Sequence, residues 1–103
     1  MKMVLNERIE ASKLLSAVNM LRVIAHPVRL AIVDLLTENE QMTVLELQEA
    51  LNLEQAIASQ QITLLEDKGV LISKKVGRNK YVSLRFPKMI NIINCLENCC
   101  DEL

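Results

Sequence analysis

The stretch from Leu53 to Leu84 constrains the fold more than any other, because it joins an amphipathic helix with a nearly uncharged outer face to a basic hairpin. At about 100° per residue, Ala58, Ile62 and Leu65 fall on one side of the helix, flanked by Ile57, Gln61 and Leu64. The opposite side collects Ala56, Ser59, Gln60, Thr63 and Asp67, which are mostly short and polar. Gly69 after Lys68 is a helix stop, since glycine takes positive φ without steric cost. Two extended runs follow, Val70 to Val76 and Lys80 to Leu84, rich in β-branched residues and parted by Gly77-Arg78-Asn79, a hairpin tip. Lys74, Lys75, Arg78 and Lys80 surround that tip with no acidic residue among them.

A polar helix face followed by a cationic hairpin is what a winged helix-turn-helix requires. The helix lays hydrogen-bonding side chains along base edges in the major groove, while the wing neutralises phosphates beside it. Helix geometry nominates Gln55, Ser59, Gln60 and Thr63 as groove-facing, with Ala56 permitting close approach or contact with a thymine methyl. Lys74, Lys75, Arg78 and Lys80 are assigned to phosphates or the adjacent minor groove. Asn79 and Tyr81 are weaker candidates, since Tyr81 can equally pack beneath the wing.

The upstream sequence supplies the rest of such a domain. Asn6 to about Ala25 predicts one long helix, with Leu14, Val18, Leu21 and Ala25 on a stripe. His26-Pro27 opens a second helix to Thr37, with proline at the first helical position and His26 as a cap or junction residue. Val28, Ala31, Ile32, Leu35 and Leu36 form its buried side, and Arg29 points elsewhere. A polar loop, Glu38 to Met42, leads to the capping box Thr43-Val44-Leu45-Glu46 and a third helix to Leu51. Asn52-Leu53 then turns into the fourth, completing the helix-turn-helix. Pro87 starts a last helix, Lys88 to about Cys100, on which Met89, Ile92, Ile93, Leu96, Cys99, Cys100 and Leu103 trace an apolar stripe.

The fold class is therefore mainly α with a small β-hairpin: five helices and a two-stranded wing in a single domain, 1–103. With 103 residues, 50% of them hydrophobic and only Tyr81 and Phe86 aromatic, the core must be aliphatic. Such a chain carries more apolar surface than one small core buries. A terminal helix of this kind can pack on its own domain or on a partner subunit; pairing of the first and last helices about a two-fold axis, through Leu14, Val18, Leu21, Met89, Ile92, Ile93 and Leu96, would cover that surface. No apolar run is long enough for a membrane span, and the N-terminus lacks a signal-peptide pattern, so the expected setting is cytoplasmic.

The net charge of −1 argues mildly against nucleic acid, but its distribution argues for it. Leu30 to Glu54 holds Asp34, Glu38, Glu40, Glu46, Glu49 and Glu54 with no base; Gly69 to Lys88 holds Lys74, Lys75, Arg78, Lys80, Arg85 and Lys88 with no acid. Positive potential is thus focused on the wing. A solvated hairpin edge guarded by lysines is the plainer alternative. An enzyme is not indicated: there is no nucleophile–base pair, no carboxylate cluster with a histidine and no glycine-rich phosphate loop.

Ile57-Ala58-Ser59-Gln60-Gln61-Ile62, Leu64-Leu65-Glu66-Asp67-Lys68-Gly69-Val70-Leu71, Gly77-Arg78 with Tyr81, and Ala25-His26-Pro27-Val28-Arg29-Leu30-Ala31-Ile32 resemble, in order and spacing, the signatures of the ArsR/SmtB family of winged-helix repressors. The resemblance implies a homodimer joined by the first and last helices, a double-stranded DNA operator as partner, and DNA contacts at Gln55, Ala56, Ser59 and Gln60. Histidine is common in the family where Gln60 stands, so base preference can differ. The family's thiolate site on the third helix would fall on Thr43 and Leu45, and its last-helix site uses histidines that this helix lacks. No metal or cofactor is therefore expected, and the effector is left open. Cys95, Cys99 and Cys100 remain, with three readings: apolar packing, a disulfide or persulfide switch, or a soft-metal site. The runner-up function is a winged-helix module that binds protein rather than DNA, favoured by the near-neutral charge and acidic third helix.

Overall fold

The computed structural model describes residues 9–103. In order they form α1 (Ala11–Ile24), α2 (Pro27–Glu38), β1 (Met42–Thr43), α3 (Val44–Ala50), α4 (Gln55–Asp67), β2 (Leu71–Val76), β3 (Asn79–Leu84), a 3-10 turn (Pro87–Met89) and α5 (Ile90–Cys100). This is a five-helix winged helix-turn-helix. Residues 6–8 of the expected first helix lie outside the described residues; α1 begins at Ala11, with Glu10 at its N-cap.

Local chemistry sets the element boundaries. Pro27 opens α2, and His26 caps it, Nδ1 accepting from the Val28 N–H at 3.1 Å. At α3 the Thr43 hydroxyl accepts from the Glu46 N–H at 3.1 Å, and the Glu46 carboxylate accepts from the Thr43 N–H at 3.0 Å. This reciprocal pairing satisfies two donors that a seven-residue helix would otherwise leave to water. Asn52 takes φ 51° in the turn between α3 and α4, a left-handed conformation that asparagine tolerates better than most residues.

The expected two-stranded wing gains a third strand. Sheet order is β1-β3-β2, all antiparallel, with Met42 opposite Val82 and Thr43 opposite Tyr81. Two residues are too few to show a period-2 pattern, so nothing in the sequence marks β1. It forms because Met42 reaches the core at 8% exposure. The hairpin tip is also tighter than expected: Asn79 pairs with Val76 inside β3, leaving Gly77 and Arg78 as the loop. Gly77 has φ 61°, as the first loop residue of a type II′ turn requires.

The core is aliphatic throughout. Ile32 and Val33 of α2, Leu47 of α3, Ile62 and Leu65 of α4, Leu71 and Val82 of the sheet, and Val70 just before β2 are at most 2% exposed. Both aromatics stay outside it, Phe86 at 43% exposure and Tyr81 half-buried. The last helix corrects one expectation. Met89 and Ile93, assigned to a subunit interface, are 3% and 6% exposed within the chain's own core, and Ile92 packs against them. Outward there remain Ile90, Leu96 and Leu103, with Leu15 and Leu21 on α1.

Candidate nucleic-acid interface

The recognition candidate is α4. Its Ala58, Ile62 and Leu65 are at most 1% exposed, which holds the helix by one stripe and leaves the opposite arc in solvent. Ala56, Ser59, Gln60 and Thr63 are exposed on that arc, and Gln55 is exposed in the first turn at its wing-side edge. With no charged side chain among them, the arc can approach base edges without long side chains intervening.

The wing stands beside it. Lys74, Lys75, Arg78 and Asn79 are exposed. A cleft of about 390 Å³ is lined by Gln55 and Ser59 of α4, Gln48 of α3, and Arg78, Asn79 and Lys80 of the wing. The fold thus brings the N-terminal half of α4 and the wing tip onto one concavity. Ala56, Gln60 and Thr63 lie further round the helix, and Lys74 and Lys75 lie along β2, outside that cleft. Tyr81 is half-buried, placed opposite Thr43 on one side and Lys74 on the other, which limits its reach.

Lys80 differs from the other wing cations because it forms an ion pair with Glu66 of α4. The same carboxylate accepts from the Ser73 hydroxyl of β2 at 3.2 Å. Register explains the convergence: Ser73 is opposite Val82 and Lys75 is opposite Lys80, so Ser73 and Lys80 occupy the sheet face that packs towards α4. Glu66 therefore ties both wing strands to the helix.

A second tether holds the other flank. Arg29, expected to point away, is half-buried; its Nε donates to Gln61 Oε1 of α4 at 2.9 Å and its Nη1 to the Val23 carbonyl of α1 at 2.8 Å. The Val23 carbonyl needs this donor. Its helical partner four residues on is Pro27, which has no N–H. Sequence reasoning missed Arg29, Gln61, Glu66 and Ser73 as a group. The missing N–H at Pro27 was the one local signal for Arg29, whereas the Glu66 contacts depend on how the wing folds back.

The thiols Cys95, Cys99 and Cys100 are free and exposed on α5. The Cys99 thiol is held above the usual cysteine range, first by its hydrogen bond with Cys95, then by charge repulsion from Cys95, with smaller contributions from desolvation and Cys100. Among the described residues, no three His, Cys, Asp or Glu side chains gather as a metal-binding group, and no helix is long and apolar enough to cross a membrane.

The comparisons with known proteins agree with this arrangement. Residues 24–73 match the sequence profile of a family described as a helix-turn-helix domain. No curated protein sequence matches significantly. Among solved structures, the transcriptional repressor PagR of Bacillus anthracis is 32% identical, with 84% of this chain and 99% of that one covered and a TM-score of 0.76. HlyU from Vibrio cholerae is 26% identical over 88% of this chain and 97% of that one, with a TM-score of 0.76. The homodimeric winged helix-turn-helix DNA-binding domain Mb0332 from Mycobacterium bovis, a possible ArsR-family regulator, shares the fold at 20% identity, 90% and 85% coverage and a TM-score of 0.76. A capped helix-turn-helix, a wing tied to the recognition helix and this set of relatives place the chain in the ArsR/SmtB family of winged helix-turn-helix transcriptional regulators, which are not enzymes.

Proposed function

We propose that the protein acts in the cytoplasm as a homodimeric, sequence-specific repressor without the family's usual metal sites, its single domain carrying both the DNA surface and the dimer helices. One observation carries this: the uncharged N-terminal half of the α4 arc, through Gln55 and Ser59, and the cationic wing tip flank a common cleft, so one docking event can engage base edges and phosphates together. Gln55, Ala56, Ser59, Gln60 and Thr63 then read bases, and Lys74, Lys75 and Arg78 bind phosphates. Lys80 serves first to hold the wing, and Asn79 and Tyr81 play lesser parts.

Dimerisation is supported by what the fold leaves uncovered. Leu15 and Leu21 on α1 and Leu96 on α5 are exposed, and an apolar groove of about 350 Å³ lies between α2 and α5, lined by Leu30, Ala31, Ile93 and Leu96. The Cα radius of gyration, 15.2 Å, exceeds the ~13 Å of a compact domain this size, as expected if terminal helices project towards a second copy. A two-fold dimer would set its recognition helices about 34–36 Å apart, in successive major grooves. Repression is the role printed for PagR, and a homodimer is the state printed for Mb0332. Thr43 is engaged in its capping box and Leu45 is apolar and 58% exposed, which suits neither to bind a metal. Cys95, Cys99 and Cys100, free and exposed on α5, are the thiols that a redox or soft-metal signal would use.

The test is selection of duplexes from a random pool, followed by anisotropy titrations across salt, with and without thiol oxidant and soft metal ions. A selected pseudo-palindrome, with affinity falling steeply as salt rises, supports the proposal. No duplex binding even at low salt would favour the protein-interaction module, which the exposed Glu46 and Glu49 of α3 could serve.

A further inference from the structure

The structure assigns to Arg29 and Gln61 a positioning role: together they set the roll of the recognition helix relative to α1, and so couple the dimer helix to base reading. This rests on the DNA-binding proposal above and deepens it.

The placement of Arg29 is hard to explain by its own helix. It sits in the first turn of α2, where a cation opposes the helix dipole. Its guanidinium instead reaches the C-terminal end of α1, where positive charge is favoured, and supplies the Val23 carbonyl with the donor that Pro27 lacks. The second arm of the fork grips α4 through Gln61. Only a planar, multi-donor side chain can hold two acceptors at these fixed directions, which a single ammonium cannot reproduce.

The geometry on α4 gives this contact leverage. At about 100° per residue, Gln61 and Glu66 lie about 70° to either side of the stripe formed by Ala58, Ile62 and Leu65. Apolar packing fixes the depth of a helix but resists rotation weakly, because a buried stripe is a broad surface. Two polar tethers on opposite flanks supply the missing constraint: Glu66 holds the wing side, and Gln61 holds the α1 side. Gln60, beside Gln61 in the sequence, projects from the exposed arc, so a roll of α4 shifts its side chain against the base edges. A shift of α1 at the subunit interface would therefore reach α4 through one guanidinium.

The experiment measures operator and random-duplex affinities for the wild type, Gln61→Leu, Gln61→Glu, Arg29→Lys and the double variant Arg29→Lys/Gln61→Leu, with circular dichroism confirming that each is folded at the assay temperature. Operators with one base pair added between half-sites are included. Gln61→Leu and Arg29→Lys should each lower the operator-to-random ratio by a factor of about 3–30, and the double variant should lose no more than the worse single. Their preference for native half-site spacing should weaken, and the salt slope should stay unchanged because neither residue meets a phosphate. Gln61→Glu should keep the ratio, since a carboxylate accepts from arginine at least as well. Unchanged ratios and spacing preference in folded single variants, or a salt slope reduced by about one per subunit in a folded Arg29→Gln variant, which removes the charge, would overturn the assignment while leaving DNA binding intact. Failure of the wild type to bind any duplex would overturn both.

Discussion

Replacing Glu66 with glutamine separates the two tasks open to Lys80, holding the wing and binding a phosphate. In the folded chain the Lys80 ammonium is paired with Glu66, and their side chains are 37% and 23% exposed. A pair this accessible is worth about 0.2–1 kcal/mol after solvent screening. Glutamine can still accept from Ser73, so the total loss of stability should be about 0.2–1 kcal/mol, or about 1–8 °C in Tm for a domain of this size. The larger effect is electrostatic. If Lys74, Lys75 and Arg78 are the phosphate-binding cations, a dimer neutralises three phosphates per subunit, and log Kobs against log salt should fall with a slope of about −5. Releasing Lys80 adds one cation per subunit, so Glu66→Gln should steepen the slope by about 2 and raise affinity for random duplex at low salt. Anisotropy titrations from low to high salt on operator and random duplexes read both quantities. The reasoning fails if the wild-type slope is already near −7, stays there in Glu66→Gln, and falls by about 2 in Lys80→Ala, because Lys80 would then be bound to phosphate despite Glu66.

Other outcomes follow from separate features. Thr43→Ala removes the acceptor that caps α3 and should cost about 1 kcal/mol in urea unfolding; a loss below about 0.3 kcal/mol would mean that water replaces the cap fully. The Glu46 carboxyl is held below its ordinary value by the Thr43 backbone N–H and then by the Thr43 hydroxyl. A depressed folded value means the contribution is complete above the unfolded pKa and lost as pH falls through the folded one. Wild-type stability should therefore drop more steeply than that of Glu46→Gln in the acid range below the ordinary carboxylate pKa, and parallel profiles would contradict this. Leu21→Glu puts a charge on the exposed α1 face and should shift sedimentation equilibrium towards monomer; an unchanged dimer mass would exclude that face from the interface. The raised Cys99 thiol should alkylate more slowly at neutral pH than a free cysteine, and Cys95→Ser should speed it; equal rates in both proteins would remove Cys95 as the cause.

The legible parts of this protein were those written in local chemistry. The inward stripe Ala58, Ile62 and Leu65, the Thr43–Glu46 capping box, the His26-Pro27 junction and Gly77 at the hairpin tip each rest on residues a few positions apart, and each forms as expected. The parts that differed are long-range. β1 is two residues stabilised by partners some forty positions away, Val82 and Tyr81. Met89 and Ile93 belong to a stripe that the sequence shows but whose occupant it does not name. An amphipathic terminal helix has an apolar face whether that face meets its own core or a second copy.

The amino-acid order determined the helices, the turns, the aliphatic character of the core and the concentration of positive charge around one hairpin, because spacing and residue type fix backbone preference and burial within a few turns. Tertiary structure decided which distant polar groups meet. Glu66 meets Lys80 and Ser73, and Arg29 meets Val23 and Gln61, through the docking of the sheet, α1, α2 and α4. Hydrogen bonds and ion pairs act over a few ångströms and have no period in sequence. The tethers that orient the recognition helix therefore become visible only in the folded chain.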